Sequence, residues 1–431
     1  MQIDDFNDGL LAFLKASVTP FHAVAHMAQW LDAAGYSRLD EHDDWDCEDQ
    51  SRYYVIRNAS SIVAFTCDQS SLMDEGIKMV GAHTDSPCLK VKPQPDLVTN
   101  NYLQLAVEVY GGALLNPWFD RDLSLAGRVS FRDSNGQINS SLIDFSRPLA
   151  VIPSLAIHLD REANKNRTIN AQTDISPLIA LKTHQADSRL NALLLKELNE
   201  QEPSAEAQDI LAHELFFYDT QAPSIIGLND ELIVSARLDN LLSCYTGLMA
   251  LLDASAEGAG NRLLVCNDHE EVGSLSASGA QGPFLKSVLE RVYGDSASTL
   301  TRIIDQSMMI SADNAHALHP NYADKHDKNH GPLLNHGPVI KVNANQRYTS
   351  NSDTVAAFKD LCEQVDVPVQ TFVMKNDMGC GSTIGPITAG EIGIPSIDIG
   401  VPTFAMHSIR ETAGHEDAHS LYKVLKVYFS D

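Results

Sequence analysis

Residues 262–271 read RLLVCNDHEE, an apolar run that ends in two adjacent glutamates. The four apolar residues 263–266 predict a buried strand. Glu270 and Glu271 then lie just beyond the carboxyl end of this strand, which is where ligand sites lie in open α/β sheets. The segment therefore predicts an α/β fold with a polar site at one edge of its sheet.

Further histidines and carboxylates also follow apolar runs that predict strands. They are His83 and Asp85 after residues 79–82, Asp239 after residues 232–234, Asp313 at the end of residues 303–311, and His407 after residues 397–399. Imidazole and carboxylate groups are ligands that borderline divalent metals accept. Five such motifs at strand ends predict a two-metal hydrolase.

Each motif taken alone has an ordinary structural explanation. His-x-Asp tripeptides mostly lie in surface loops, and adjacent glutamates mostly belong to a solvated face. Asp239 and Asp313 could each cap a helix, and His407 could be a buried histidine without a ligand. Only the combination of the five motifs favours a metal site.

The spacing within two of the motifs suggests separate roles for their members. Side chains two positions apart in a strand point in the same direction, so Asp85 can orient the imidazole of His83. Of the two adjacent glutamates, Glu271 can bind a metal while Glu270 serves as general base for a water. The carboxylate of Asp239 can bridge two ions, with one oxygen for each.

The chain is long enough for two domains, with 431 residues of which 44% are hydrophobic. Residues 103–109 alternate in polarity like a half-buried strand, and Asn135-Gly136 predicts a β-hairpin. An alternation of helices and strands returns after Ala236. We therefore predict a discontinuous catalytic domain of residues 1–90 and 235–431 and an inserted β-rich domain of residues 91–234. Short insertions into a single domain would give a similar pattern.

Composition excludes several classes of partner. The formal net charge is −26, and its spread along the chain argues against binding to nucleic acid or to anionic membrane surfaces. No apolar stretch approaches the length of a membrane span, and residues 1–9 do not resemble a secretory signal. Seven cysteines without a CxxC pair fit reduced thiols, so we expect a cytoplasmic protein.

Longer stretches around the five motifs carry a family resemblance. They are VGAHTDSP at 80–87, RLDN at 237–240, DHEEVGS at 268–274, SADNAHALHPNY at 311–322 and MHSIRE at 406–411. These stretches resemble the aspartyl aminopeptidases of the M18 metallopeptidase family, nearly from end to end of the chain. The resemblance implies an α/β/α catalytic domain with a mixed sheet, an inserted β-rich dimerisation domain, and a tetrahedral dodecamer built from dimers.

The same resemblance implies a site with two zinc ions per chain, although Mn²⁺ or Co²⁺ would suit the same oxygen and nitrogen ligands. The implied ligands are His83 and Asp313 for one ion, Glu271 and His407 for the other, and Asp239 as the bridge. Glu270 would be the general base, and Asp85 would orient the site.

Four further residues match substrate-binding positions of the family: His158, His316, Lys341 and Tyr348. The resemblance implies that His158 enters the site of a neighbouring subunit. Without it, His158 would be an ordinary core histidine and Lys341 a solvent-facing lysine of a strand. The glycine-rich loop, residues 377–383, lacks the spacing and the lysine of a phosphate-binding loop, so we interpret it as a pocket wall.

The function that these observations favour is removal of N-terminal residues, preferably Asp or Glu, from peptides. A related two-metal carboxypeptidase or amide deacylase is one alternative, and a non-catalytic shell protein is another. The stretch from Ala315 to Tyr348 argues against the first alternative. The intact base Glu270 and the complete set of ligands argue against the second.

Overall fold

The computed structural model describes residues 1–48, 51–182, 189–294 and 296–430. Its α-helices are α1 (Ile3–Ala16), α2 (Pro20–Ala33), α3 (Leu72–Glu75), α4 (Ala163–Asn166), α5 (Leu190–Gln201), α6 (Leu238–Glu257), α7 (Phe284–Tyr293), α8 (Ala297–Gln306), α9 (Ser352–Gln364), α10 (Ile384–Ile392) and α11 (Asp417–Ser430). Short 3-10 turns cover Asn116–Trp118, Pro203–Ala205, Glu270–Val272 and Ala323–Lys325. Within these described ranges, none of the helices is both long enough and apolar enough to cross a bilayer.

The strands of these described ranges form three sheets. They are β1 (Ser37–Leu39), β2 (Arg52–Arg57), β3 (Ser61–Thr66), β4 (Lys78–His83), β5 (Cys88–Thr99), β6 (Tyr102–Tyr110), β7 (Leu123–Asp133), β8 (Ile138–Asp144), β9 (Leu178–Leu181), β10 (Ala207–Asp219), β11 (Ser224–Ile226), β12 (Leu232–Ser235), β13 (Arg262–Asn267), β14 (Met308–Ala312), β15 (Ala315–His316), β16 (Val339–Val342), β17 (Gln370–Val373), β18 (Ser396–Gly400), β19 (Pro402–Phe404) and β20 (Glu411–Gly414).

The chain divides into two compact units. The first unit comprises Met1–Asp85, Pro223–Met406 and Glu411–Asp431. The second unit comprises Ser86–Ala222 and the short segment His407–Arg410.

A nine-stranded mixed sheet forms the centre of the first unit, in the order β1-β2-β3-β13-β4-β14-β18-β16-β17. Successive residues of its central strands point to opposite faces. Val80 packs in a core with α1, α2, α6, α9 and α11, whereas its neighbour Met79 packs in a core with α7, α8 and α10. The sheet is therefore covered by helices on both faces, which is the α/β/α arrangement.

A smaller five-stranded sheet in the same unit has the order β11-β12-β20-β19-β15. Asp239 follows β12, so this sheet and not the central one delivers it. His407 follows residues 397–399 at a distance, because β18 ends at Gly400 and β19 lies between β18 and this histidine. A short apolar run does not reveal which sheet its strand joins.

The strand expected at residues 303–311 is also partly wrong. Helix α8 continues to Gln306, and β14 begins at Met308. Ser296 caps this helix through the backbone N–H of Thr299, and Ile303 and Ile304 are its buried residues. The buried residues of α8 and the first residues of β14 lie close together in the sequence and resemble a single strand. Periodicity alone does not distinguish the end of the helix from the start of the strand.

The second unit is built on an antiparallel sheet in the order β8-β7-β10-β5-β6-β9. The predicted hairpin at Asn135-Gly136 is confirmed, because β7 and β8 pair across that turn. Helix α5 contributes Leu194 to a core that includes Leu105 and Phe217 of the sheet.

Candidate active site

Three neighbouring strands of the central sheet end at the same edge and supply most of the charged residues of the site. Strands β13, β4 and β14 are parallel, with Asn267 of β13 beside His83 of β4. The turn after β13 carries Glu270 and Glu271, and Asp313 follows β14. Because parallel strands in register end together, these side chains meet at one edge.

His83 lies at the centre of this group and is 1% exposed. Its Nε2 lies 3.5 Å from Oδ1 of Asp239, 3.8 Å from Oδ1 of Asp313 and 3.9 Å from Oε2 of Glu270. One imidazole nitrogen therefore faces three carboxylates, which is the arrangement expected around a shared cation.

Asp85 connects His83 to the turn that carries Glu270 and Glu271. Nδ1 of His83 donates to the backbone carbonyl of Asp85 at 3.1 Å, so Nε2 is the nitrogen that could bind a metal once it has lost its proton. The two carboxylate oxygens of Asp85 accept the backbone N–H groups of Glu270 and Glu271, each at 3.1 Å. Asp85 thus fixes both the imidazole and the turn that carries the two glutamates.

The donor atoms of the group fit a metal. One ligand atom from each of His83, Asp239 and Asp313 lies within 4.8 Å of the others, and the same holds for His83, Glu270 and Glu271. Several carboxylates so close together and so little exposed repel one another unless cations compensate them. Imidazole nitrogen and carboxylate oxygen are zinc ligands, so the residues present suit this ion.

The charged groups shift one another's pKa values. Burial alone would lower the pKa of His83, but the carboxylates of Asp239, Asp313 and Asp85 outweigh it and raise that pKa well above its usual value. Burial, opposed by His83 and assisted by Asp313, raises the pKa of Glu270 to about 7. A base of that pKa suits proton transfer near neutral pH, and a nearby divalent cation would lower it.

Hydrogen bonds from nearby residues fix the backbone around Asp239 and His83. The backbone N–H of Asp239 donates to Oε2 of the buried Glu411 at 2.9 Å, and Asn240 donates to the carbonyl of Ala312 at 2.8 Å. Cys244 donates from Sγ to the carbonyl of His83 at 3.0 Å. Local sequence predicts none of these contacts, although Asn240 and Glu411 lie in two of the quoted stretches, RLDN at 237–240 and MHSIRE at 406–411.

Left-handed backbone marks the segments that carry the site residues. Arg237, His269 and His407 all have positive φ angles, of 60°, 65° and 68°. Residues other than glycine rarely adopt this region of backbone conformation. Those that do are often found at functional sites. Arg237 lies two residues before Asp239, and His269 immediately precedes Glu270.

Of the predicted substrate residues in the first unit, Lys341 and Tyr348 are buried and His316 is exposed. Nζ of Lys341 lies 3.2 Å from Oδ2 of Asp313 and donates to the carbonyl of Asn314 at 3.0 Å. It also lies 5.3 Å from the ring centroid of Tyr348. The alternative interpretation of Lys341 as a solvent-facing lysine is wrong, because it is only 2% exposed.

The remaining two predicted site residues belong to the second unit. Nδ1 of His407 donates to the carbonyl of Gly112 at 3.2 Å. His158 lies in a turn and is exposed, and its neighbours Ile157 and Leu159 are 50% and 75% exposed. The interpretation of His158 as a core histidine is therefore wrong.

Known proteins match this chain along nearly its whole length. Residues 13–429 match the family model described as aminopeptidase I zinc metalloprotease (M18). A probable M18 family aminopeptidase 2 of Pseudomonas aeruginosa (strain UCBPP-PA14) is 57% identical over 428 residues, covering 99% of this chain and 98% of that relative.

Two solved structures show the same fold. In the cryo-EM structure of the Ape4 and Nbr1 complex, the similar chain has a TM-score of 0.95 and 38% identity, with coverage of 99% of this chain and 86% of that one. The S. cerevisiae mApe1 dodecamer gives a TM-score of 0.84 and 27% identity, with coverage of 99% and 96%.

Proposed function

The chain belongs to the M18 family of zinc metalloproteases and is a metalloaminopeptidase, and we propose that it uses two zinc ions to remove N-terminal residues, preferably Asp or Glu, from peptides. The observation that carries the proposal is the buried imidazole of His83, which faces three carboxylates. In this proposal His83 and Asp313 would hold one ion, Glu271 and His407 would hold the other, and Asp239 would be a ligand of both.

The protein's own residues divide the chemistry between them. When bound, zinc would supply the Lewis acidity that activates a water molecule and polarises the scissile carbonyl. Glu270 takes the proton of that water and passes it to the leaving amine. Asp85 keeps Glu270 in position through the backbone N–H at 3.1 Å.

Removal of the metal provides the first test. We expect chelation to abolish activity, because the close carboxylates lose the cations that they share. Reconstitution of the apoprotein should restore activity as two ions bind per chain. The measurement is elemental analysis alongside activity at each step of a zinc titration. A fully active protein without metal would contradict the proposal, and full activity at one ion per chain would contradict the dinuclear site.

The preference for acidic residues rests on Lys341. A substrate carboxylate needs a cationic partner, and this chain carries a net charge of −26. The ammonium of Lys341 has three N–H donors, and its contacts with Asp313 and Asn314 use two of them. One donor therefore remains for a ligand.

Replacement of Lys341 by methionine is expected to lower the ratio of kcat/KM between aspartyl and leucyl substrates by about tenfold, the value of one charged hydrogen bond. Methionine keeps the unbranched length of the side chain and removes the charge. The matched control is Lys286→Met on α7, where the lysine is half exposed and pairs with Glu290. An unchanged ratio in Lys341→Met would assign the selectivity to another group. Zinc content should be measured too, because Lys341 also contacts Asp313.

Assembly is the remaining part of the proposal. We propose a cytoplasmic homo-oligomer, a tetrahedral dodecamer built from dimers, with the β-rich second unit as the dimerisation domain. A dodecamer is named for the similar S. cerevisiae mApe1. The exposed apolar side chains of Leu155, Ile157 and Leu159 around His158 support burial of this turn against another subunit.

The proposed reaction is tested by a substrate panel under defined zinc. The panel contains Asp-, Glu-, Leu- and Ala-p-nitroanilides, their N-acetylated forms, and peptides with a free or blocked C-terminus. We expect cleavage that requires a free N-terminus and is fastest for Asp or Glu. Release of C-terminal residues would identify a carboxypeptidase instead, and release of acetate from blocked substrates would identify a deacylase.

A further inference from the structure

Strand β18 carries an acidic side chain in apolar surroundings. Asp398 is fully buried between Ile397 and Ile399, which are fully buried as well. A carboxylate at such a place is costly unless its oxygens accept hydrogen bonds. The function proposed above gives Asp398 no role, so its partners are informative.

The first set of partners belongs to the loop that carries Tyr348, residues 343–351, which we call the tyrosine loop. Thr349 donates to Oδ2 of Asp398 twice, from its backbone N–H at 2.7 Å and from its hydroxyl at 2.9 Å. The backbone N–H of Asp398 donates to Oγ of Ser350 at 3.1 Å. Thr349 directly follows Tyr348, so these bonds fix the backbone that carries the tyrosine ring.

The second partner belongs to the glycine-rich loop, residues 377–383. The hydroxyl of Thr383 donates to Oδ1 of Asp398 at 2.6 Å. A Cβ atom at Gly385 would come within 2.4 Å of the same oxygen, so only glycine permits this approach. Cys380 of the glycine-rich loop packs against the apolar cluster that contains Tyr348. One carboxylate therefore holds two loops that meet at Tyr348.

We propose that Asp398 is a positioning residue that sets the substrate pocket by fixing the tyrosine loop and the glycine-rich loop against the sheet. The inference rests on the proposed function, because it gives Tyr348 a place in the pocket next to Lys341. Each oxygen of Asp398 serves one loop, so removal of the carboxylate leaves buried donors of both loops without their acceptor. The proposed metal ligands lie outside β18 and outside both loops: His83 ends β4, Asp239 lies in α6, Glu271 lies in the 3-10 turn after β13, Asp313 follows β14 and His407 follows β19.

Asp398→Ala is expected to raise KM for an aspartyl p-nitroanilide by about tenfold, the effect of one lost hydrogen bond in the pocket, with a smaller change in kcat. Zinc content should stay at the wild-type value. Hydrogen exchange should become faster in peptides that cover residues 343–351 and 377–383, and stay unchanged in β4. A general loss of structure would instead affect β4 and the metal content.

Conservative variants keep the test decisive if the alanine variant folds poorly. In Asp398→Asn the amide oxygen can accept from Thr349, while the amide nitrogen can donate to the hydroxyl of Thr383. This variant should therefore keep KM near the wild-type value. Thr383→Val removes one bond to the carboxylate and should speed exchange in the glycine-rich loop alone. The control on the same strand is Ser396→Ala, because that hydroxyl donates to the carbonyl of Ile394 and not to either loop.

Two outcomes would overturn the inference. Unchanged exchange in both loops of Asp398→Ala would show that the carboxylate does not hold them. Faster exchange with an unchanged KM would show that their position does not matter for the substrate. Failure of the proposed function is a separate result, in which the wild-type protein itself cleaves none of the aminoacyl substrates.

Discussion

Replacement of Glu270 by glutamine is expected to reduce kcat by about 10²- to 10⁴-fold while the metal content stays unchanged. Glutamine has the same shape and keeps the backbone N–H that donates to Asp85 at 3.1 Å. It cannot accept a proton from water. The loss should appear in kcat more than in KM, since ground-state binding is retained. The measurements are steady-state kinetics and zinc per chain on the same preparation.

Glu271→Gln is the matched control for this experiment. It is the same chemical change one residue later, in the same 3-10 turn, and its backbone N–H donates to the other oxygen of Asp85 at 3.1 Å. We expect this variant to lose zinc, because an amide is a poor replacement for a carboxylate ligand. If Glu270→Gln loses metal and Glu271→Gln retains it, the two roles are reversed.

The central part of the site was predictable from local sequence. Val80 to His83 and Leu263 to Asn267 each form a short apolar run that ends in polar residues, and both fold as neighbouring parallel strands. Short continuous apolar runs are typical of strands that are buried on both faces of a sheet. The polar side chains that follow two such neighbouring parallel strands are therefore expected at one edge of that sheet.

The other part of the site depends on contacts that local sequence does not encode. Asp239 follows β12, which pairs with β20 and not with the central sheet. The strand predicted before Asp313 is longer than the observed one, because Ile303 and Ile304 belong to the buried side of α8. In both cases the apolar run indicated that the segment is buried. It did not indicate which element the segment packs against, or whether the segment is a helix or a strand.

The alternation of apolar and polar residues around Lys341 wrongly suggested a solvent-facing side chain, again because the sequence does not show the partner. Ile340 and Val342 on either side are apolar, which suggests a lysine that faces solvent. In the structure Asp313 lies 3.2 Å from its ammonium and makes burial of the charge tolerable. A partner almost thirty residues away cannot be read from the pattern of one strand.

His158 shows the opposite error, since an apolar stretch suggested a core residue. Its neighbours Leu155, Ile157 and Leu159 are 59%, 50% and 75% exposed. A turn that exposes three large apolar side chains around a histidine suits contact with another subunit. In the proposed assembly this histidine completes the neighbour's site, where it donates a hydrogen bond to the substrate or to the oxyanion.

Loss of that donor in His158→Ala is expected to reduce kcat by roughly 10²- to 10³-fold. A shared site makes a further prediction, because a His158→Ala chain keeps its own Glu270. When it pairs with a Glu270→Gln chain, it can use the His158 of that partner, and one of the two sites in the pair becomes complete. Two nearly inactive variants that are dissociated and reassembled together should therefore regain activity. With random pairing in isologous dimers, about one site in four is complete.

The control is a chain with both substitutions, His158→Ala and Glu270→Gln. Such a chain supplies neither group, so mixing it with either single variant cannot create a complete site. Native mass spectrometry should confirm that mixed oligomers form in every sample. If mixed oligomers of the two single variants form and remain inactive, His158 acts within its own subunit. That result would contradict a site shared between subunits. The roles proposed for the zinc ligands and for Glu270 would be unaffected, because all of these residues belong to one chain.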